Sequence, residues 1–244
     1  MQLSIVIPTY NESTKIARDI SAAADFLQHA ALRGEIIVVD DGSEDHTADF
    51  AERVVLPNAI VLRVLRNPQH RGKGFAVRTG IMQACGHYVM FADSGLPVPY
   101  ENALRGLALL QNGTCDLAHA SRRLPESRIH RPQPWQRRWF SALFRWVIVY
   151  FLKVPSRLTD TQCGFKIYRG EVARALFGKC FTAGFMFDIE IIMRALQHDY
   201  RIAEFPVEWT CDLDSRLSVT RSPRRILQEL LALWRHFRRN EFDA

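Results

Sequence analysis

At 244 residues, with 48% hydrophobic and 24% charged residues, the chain has the size and composition for one buried core, which excludes disordered and fibrous classes. Its net charge of +6 is unevenly placed. Arg122 to Lys153 holds eight Lys/Arg against Glu126 alone, and Arg216 to Arg239 holds seven Arg against Glu229 alone, so the remainder of the chain is acidic and one face is expected to meet an anionic partner.

The opening "MQLSIVIP" lacks the positive start of a leader and turns polar by Thr9, so "LSIVIP" reads as a first strand. Glu12 to Leu32 places Ile16, Ile20, Ala24 and Leu27 at helical spacing. "EIIVVDD" is a buried strand, Thr47 to Val55 a helix, "AIVLRVL" a third strand, Gly72 to Cys85 a third helix and "YVMFAD" a fourth strand. This βαβα order predicts an α/β fold with a mostly parallel sheet flanked by helices. The second half is expected to hold a strand in "CDLAHASRR", a basic proline-punctuated loop, and an apolar helix from Phe140 to Leu152. That helix is too short for a bilayer but suited to a core or, with Trp139, Trp146 and Tyr150, to a membrane interface. "DTQCGFKIYR" leads into a helix near Glu171, a further helix starts near Asp188, and "RIAEFPVEW" reads as an edge strand. A basic amphipathic helix capped by Ser222 with Pro223 at its first position closes the chain. No repeat or linker appears, so the whole of 1–244 reads as one domain. Five dispersed cysteines without a CxxC pair argue against zinc or a disulfide framework and fit a reducing cytosol.

Right-handed crossovers bring strand C-termini to one rim, where open α/β sheets bind ligands. Thr9, Tyr10, Asn11, Glu12, Asp40, Asp41 and Asp93 should meet there, although Asp40 or Asp41 could instead cap a helix and Asn11 could serve as a turn former. Gly72 and Gly74 open a helix beside Arg71 and Lys73, a setting that favours anions. Asp188 and Glu190, two apart, cannot share a helix face, and Asp188 suits a cap as well as catalysis.

The ordered set "IVIPTYNE", "EIIVVDDGSEDHT", "RGKGFAVRTGIMQACGHYVMFAD", "ASRR", "DTQCGFKIYR", "GFMFDIEII" and "PVEW" resembles the family 2 glycosyltransferases, and within them the branch acting on polyprenyl phosphates such as dolichyl phosphate. The resemblance implies a Rossmann-like GT-A fold, a nucleotide-sugar donor, inversion at the anomeric carbon and a lipid-phosphate acceptor. Residues 1–121 would form the nucleotide-sugar half and 122–244 the acceptor and membrane-facing half. By motif match, Pro8, Tyr10 and Glu12 would line the nucleotide pocket, Val39 and Asp41 would hold the base, and Lys73 and Ser94 would join the donor site. Arg122 and Arg216 match basic positions near the phosphates, Arg216 replacing a lysine common there, and Asp160 matches an acceptor-side aspartate. The family's DxD metal motif survives only as Asp93, because Gly95 and Pro97 stand where a carboxylate and a Gln are usual. Mg²⁺ or Mn²⁺ is therefore expected on Asp93 through water-rich coordination, with Arg122 and Arg216 sharing the diphosphate charge. The resemblance favours UDP-glucose over GDP-mannose as donor and a peripheral place on the cytoplasmic membrane surface. A saccharide or other lipid acceptor, or a non-catalytic nucleotide-sugar binder, are the competing readings. Nucleic acid comes last, since no helix-turn-helix or sheet-borne aromatic stacking motif is present.

Overall fold

The apolar alternation of the first strands divides one sheet into two covered faces. In the computed structural model, which describes residues 1–132, 134–211 and 223–242, the chain runs β1 (Leu3–Thr9), α1 (Ile16–His29), β2 (Gly34–Asp40), α2 (Thr47–Glu52), β3 (Val61–Arg66), α3 (Lys73–Gln83) and β4 (Tyr88–Ala92). Then follow a 3-10 turn (Tyr100–Asn102), α4 (Ala103–Gln111), β5 (Leu117–Ser121), β6 (Arg128–Arg131) and α5 (Trp135–Phe151). β7 (Phe165–Arg169), α6 (Gly170–Gly178), α7 (Phe187–Gln197), β8 (Ile202–Pro206), β9 (Glu208–Thr210) and α8 (Pro223–Phe242) complete it.

Seven strands form one sheet in the order β3-β2-β1-β4-β7-β5-β8, mixed but mostly parallel as expected. Ile5, Ile7, Ile36, Val38 and Met90 face α1 and α4, while Val6, Ile37, Val39, Val89 and Phe91 face α3, α6 and α7. The two-residue side-chain period of a strand makes that split unavoidable once both faces are covered. A third cluster joins α5, α7 and α8 through Ile148, Leu152, Ile189, Ile192, Leu233 and Phe237.

Several boundaries depart from expectation. Residues 12–15 form a turn and α1 starts at Ile16, because the chain after β1 is occupied in loop-to-loop hydrogen bonds. "FKIYR" is a strand, β7, inserted antiparallel between β4 and β5. "RIAEFPVEW" splits at Val207: β8 is the predicted edge strand beside β5, and β9 pairs with β6 in a separate two-stranded sheet where only a loop was expected. The apolar helix begins at Trp135, five residues before the predicted Phe140. Ser222 lies outside the described residues, so its capping role is not described by the structure; α8 does start at Pro223.

A β-carbon at Gly80 of α3 would collide with Val6 Cγ1 and come within 2.9 Å of Val39 Cγ2, so the helix needs glycine to approach β1 and β2. Gly80→Val is expected to cost about 1–3 kcal/mol by overpacking, read as a lowered urea midpoint with an unchanged slope.

Candidate active site

β1, β2 and β4 are parallel neighbours in register, Thr9 opposite Asp40 and Val6 opposite Phe91, so the residues following them emerge at one rim. β7 runs the other way, and its N-terminal approach, residues 160–164, therefore enters the same rim. β5 also ends there, at Ser121. Tyr10, Asp41, Asp93, Arg122 and Asp160 are thus drawn together from well-separated stretches of sequence.

At the β1 and β2 end two loops are laced together. Asn11 adopts a left-handed backbone (φ 55°), a conformation asparagine tolerates, and turns the chain toward the 43–47 loop. Asn11 N donates to Ser43 Oγ, Glu44 N to Asn11 Oδ1, Glu12 N to Thr47 Oγ1 and Ser13 N to Asp45 Oδ2, at 2.8–3.1 Å. Pro8 and Tyr10 stay partly open beside this platform. The Tyr10 ring stacks on His70 at 4.0 Å between centroids. Asp41 is no helix cap: it accepts from Asn67 Nδ2 (2.9 Å), Arg71 N (3.1 Å) and Gly72 N (2.7 Å) and pairs with His70 Nδ1 (2.9 Å), fixing the loop that enters α3. Asp40 instead holds its own turn through Ser43 N and Oγ. The Glu12 carboxylate lies 3.4 Å from Lys15 Nζ. Val39, expected to hold the base, has its side chain fully buried under α3, and its carbonyl accepts from Thr9 Oγ1.

Asp93 follows β4, anchored by a hydrogen bond from its own N–H to Gly164 O (2.8 Å). Its carboxylate sits so closely against Gly164 that any β-carbon there would overlap it. Lys73 Nζ, from the first turn of α3, lies 2.6 Å from Asp93 Oδ1, a buried atom that makes no hydrogen bond of acceptable geometry. Burial opposes the charge on Lys73, but Asp93 and Asp188 outweigh it and raise its pKa, so the ammonium stays protonated. The next residues turn away from this pair. Ser94 Oγ and Gly95 N both donate to the buried Asp19 Oδ2 (2.7 and 2.6 Å), and Gly95 (φ 95°) and Leu96 (φ 51°) complete the turn. The Ser94 hydroxyl, expected in the donor site, is thereby engaged with α1.

At the β5 and β7 end of the rim, Arg122 grips Asp160 through Nε–Oδ2 (2.6 Å), Nη2–Oδ1 (2.8 Å) and its backbone N–H to Oδ2 (3.0 Å). Burial pushes the Asp160 carboxyl up, but the guanidinium outweighs this and holds it below the usual carboxylate range. Glu204 of β8 steadies the pair from beneath by accepting from Asp160 N (2.8 Å) and Thr159 N (2.9 Å). Lys166, fully buried in β7, meets Asp188 of α7 at 2.5 Å and donates to Thr161 O. Asp188 therefore does not cap α7; burial raises its pKa against the pull of Lys166. Glu190 accepts from Phe181 N and Thr182 N and pairs with Arg194, a structural bracket at the start of α7. Cys163 lies among these charges with its thiol pushed up to about 12 by burial. Arg216 lies outside the described residues.

Sequence reasoning missed Asp19, His70, Gly164, Lys166 and Glu204. Lys166 carried a readable signal, since a lysine inside the apolar run "FKIYR" must find a buried acid once that run is a central strand. The others act across the sheet and left none.

The expected Mg²⁺ or Mn²⁺ can be tested against these donors. Among the described residues no group of three His, Cys, Asp or Glu side chains could hold a metal ion. Asp93 offers one carboxylate that already faces an ammonium, Gly95 brings no ligand, and the nearby turn is tied to Asp19. Asp93 is thus the one carboxylate available, and a divalent cation here would rest on Asp93, the donor phosphates and water, in competition with the Lys73 ammonium.

Comparison with known proteins matches residues 4–177 to the model described as glycosyl transferase family 2. The chain is 33% identical over 223 residues to the dolichyl-phosphate beta-glucosyltransferase of Homo sapiens (86% of this chain, 67% of that protein). It is 30% identical over 222 residues to the protein of the same name from Saccharomyces cerevisiae (85% and 66%). It thus spans about two thirds of the length of these relatives. Among solved structures, glucosyl-3-phosphoglycerate synthase from Mycobacterium tuberculosis in complex with Mn²⁺, UDP and phosphoglyceric acid superposes with a TM-score of 0.72 at 19% identity, covering 96% of this chain and 78% of that one. A likeness at that identity carries the fold.

The depressed pKa of Asp160 sets a pH dependence. Its contribution to stability is complete above the unfolded value of about 3.9 and is lost as pH falls through the lower folded value. Asp160→Asn is expected to lower stability at neutral pH by about 3 kcal/mol, since one partner of a buried pair is removed, and to flatten the loss of stability below about pH 4. Chemical denaturation across pH 3–7 reads both effects.

Proposed function

The chain belongs to glycosyl transferase family 2, and from that premise we propose that it moves a hexose from a nucleotide sugar to a polyprenyl phosphate. Glucose from UDP-glucose is the favoured donor, with mannose from GDP-mannose as the alternative. The observation that carries this reading is the convergence at one sheet rim of an aromatic and carboxylate slot (Tyr10, Asp41), a cation at the next position (Lys73 with Asp93) and an arginine clamp (Arg122 with Asp160). The names of the relatives supply the acceptor class.

The chemistry follows from charge. A lipid phosphate is already anionic near neutral pH and attacks the anomeric carbon without losing a proton to the enzyme. The new bond joins a phosphate oxygen to that carbon on the face opposite the donor, and the bond to the diphosphate breaks with its electron pair passing to the nucleoside diphosphate. Asp160, tied to Arg122 and held ionised, positions the guanidinium and is not needed as a base. Arg122 and Lys73 lie where the departing charge gathers, the kind of preorganised stabilisation that lowers such barriers most. Pro8, Tyr10, Glu12 and Asp41 accommodate the nucleotide, and Arg216 is proposed to add a further cation. Within the single unit 1–244, residues 1–121 serve the donor and 122–244 the acceptor.

α5 supports a lipid acceptor. Its Ile148 and the adjoining Leu152 are buried against α7 and α8, while Trp135, Trp139, Trp146 and Tyr150 are 68%, 74%, 59% and 70% exposed along one helical stripe with Leu143. An aromatic stripe of that size on a basic segment fits the interfacial region of a bilayer, so the helix is at once core on one side and membrane-facing on the other. Among the described residues no helix is long and apolar enough to cross a membrane. The protein is therefore proposed to act peripherally, at the cytoplasmic face of an anionic membrane.

With radiolabelled UDP-glucose and polyprenyl phosphate, a lipid-linked hexose is the expected product, and Arg122→Ala is expected to lower kcat/KM by about 100-fold or more. Donor binding without any product on lipid, saccharide or diacylglycerol acceptors would identify a non-catalytic binder. In flotation assays, wild-type protein should rise with anionic vesicles at low salt and release at high salt, and Trp139→Ala/Trp146→Ala should stay at the bottom with an unchanged melting curve.

A further inference from the structure

We propose that the ammonium of Lys73 takes the place of a divalent cation at the donor diphosphate, so that transfer here runs without a bound metal ion. This rests on the donor-site reading above and is independent of the acceptor. Lys73 Nζ lies 2.6 Å from Asp93 Oδ1, the surviving carboxylate of the metal motif. Both of its members are partly open, with side chains 14% and 21% exposed, whereas the acid partners of Lys166 and Arg122 are each 3% exposed. Lys73 and Asp93 are thus more open to a ligand than those two pairs.

The surroundings hold that ammonium where a metal would otherwise sit. Asp41 fixes Gly72 N at 2.7 Å, and Phe75 N donates to Ala183 O at 3.1 Å, so the backbone on both sides of Lys73 is pinned. A β-carbon at Gly74 would come within 2.8 Å of Gly184 O and Thr182 O, which places α3 directly on the segment leading into α7. The ammonium stands over the Phe91 and Phe187 rings at 5.8 and 5.9 Å, so aromatic faces add to its attraction. A divalent ion on Asp93 would have to displace this cation or share one carboxylate with it, and the Gly95 turn, held by Asp19, cannot contribute a second ligand. Lys73 also occupies the first turn of α3, where the helix N–H groups favour a phosphate. When the anomeric bond breaks, the electron pair that passes to the leaving diphosphate oxygen meets the Lys73 charge directly, with Asp93 acting as its positioning residue.

The test is calorimetric titration of UDP into the full chain in EDTA and again in Mn²⁺, with the Mn²⁺ resonance signal followed in parallel. UDP affinities agreeing within about twofold, and no protein-dependent loss of free Mn²⁺ signal beyond that caused by UDP, are expected. Lys73→Met should weaken UDP by about tenfold or more, with the lowered melting temperature of a buried acid left unpaired, and Lys73→Arg should recover most of both. UDP affinity that rises about tenfold only with Mn²⁺, or Lys73→Met binding UDP like wild type, overturns the inference. Product formation abolished by EDTA and restored by Mn²⁺ also overturns it while leaving the transferase standing. Metal-independent UDP binding without any lipid-linked product retires the acceptor and keeps Lys73. Absence of UDP binding in both buffers overturns the inference together with the donor site.

Discussion

Three carboxylates at the rim of the sheet are met by a lysine or an arginine, since a buried carboxylate costs several kcal/mol of lost hydration unless a cation or hydrogen bonds compensate it. Each has its own cation: Lys73 for Asp93, Lys166 for Asp188, and Arg122 for Asp160. Within each pair the two partners come from different stretches of chain, so the charges can be satisfied only when β4, β5, β7, α3 and α7 are all in place. The rim is therefore built by the fold as a whole, and its charge balance constrains every element that reaches it. The antiparallel β7 is the element that makes this feasible, because it delivers Asp160 at its entry and Lys166 along its length to the side on which the parallel strands end.

The three pairs differ in what they can do. Lys166 and Asp188 are sealed and hold α7 to the sheet. Arg122 and Asp160 are joined by three hydrogen bonds with Glu204 beneath, a rigid fork suited to an anion that must be oriented. Lys73 and Asp93 meet through one short contact at the opening, and lysine is a compact charge on a flexible stem. On the proposed reading, an electroneutral site of this kind would receive a nucleoside diphosphate by sharing cations it already holds, and the loss of the second acid at Gly95 would then be tolerable.

Beyond the rim, α5 and α8 pack together with α7. Phe151 stacks on Trp234 with centroids 5.5 Å apart, and Arg238 lies over the same indole at 4.8 Å, so the two helices form one apolar and basic ledge. α7 links that ledge to the rim: Phe187 and Ile191 pack under the sheet while Ile189 and Ile192 pack on α5 and α8. The proposed membrane-facing helix α5 is in this way packed against the helix that carries Asp188, the partner of Lys166.

The amino-acid sequence was sufficient for the α/β class, the four leading strands, the emergence of Tyr10, Asp41 and Asp93 at one rim of the sheet, and the basic, aromatic character of residues 122–153. These follow from local periodicity and from the handedness of crossovers, which need no knowledge of distant partners. Only the tertiary structure decided that "FKIYR" is a central antiparallel strand, that the Val39 side chain is buried under α3, that Ser94 serves Asp19, and that Asp93 faces Lys73. Those outcomes depend on pairings between residues 20 to 75 positions apart, and burial in a common low-dielectric rim, which sequence spacing does not encode, selects among them.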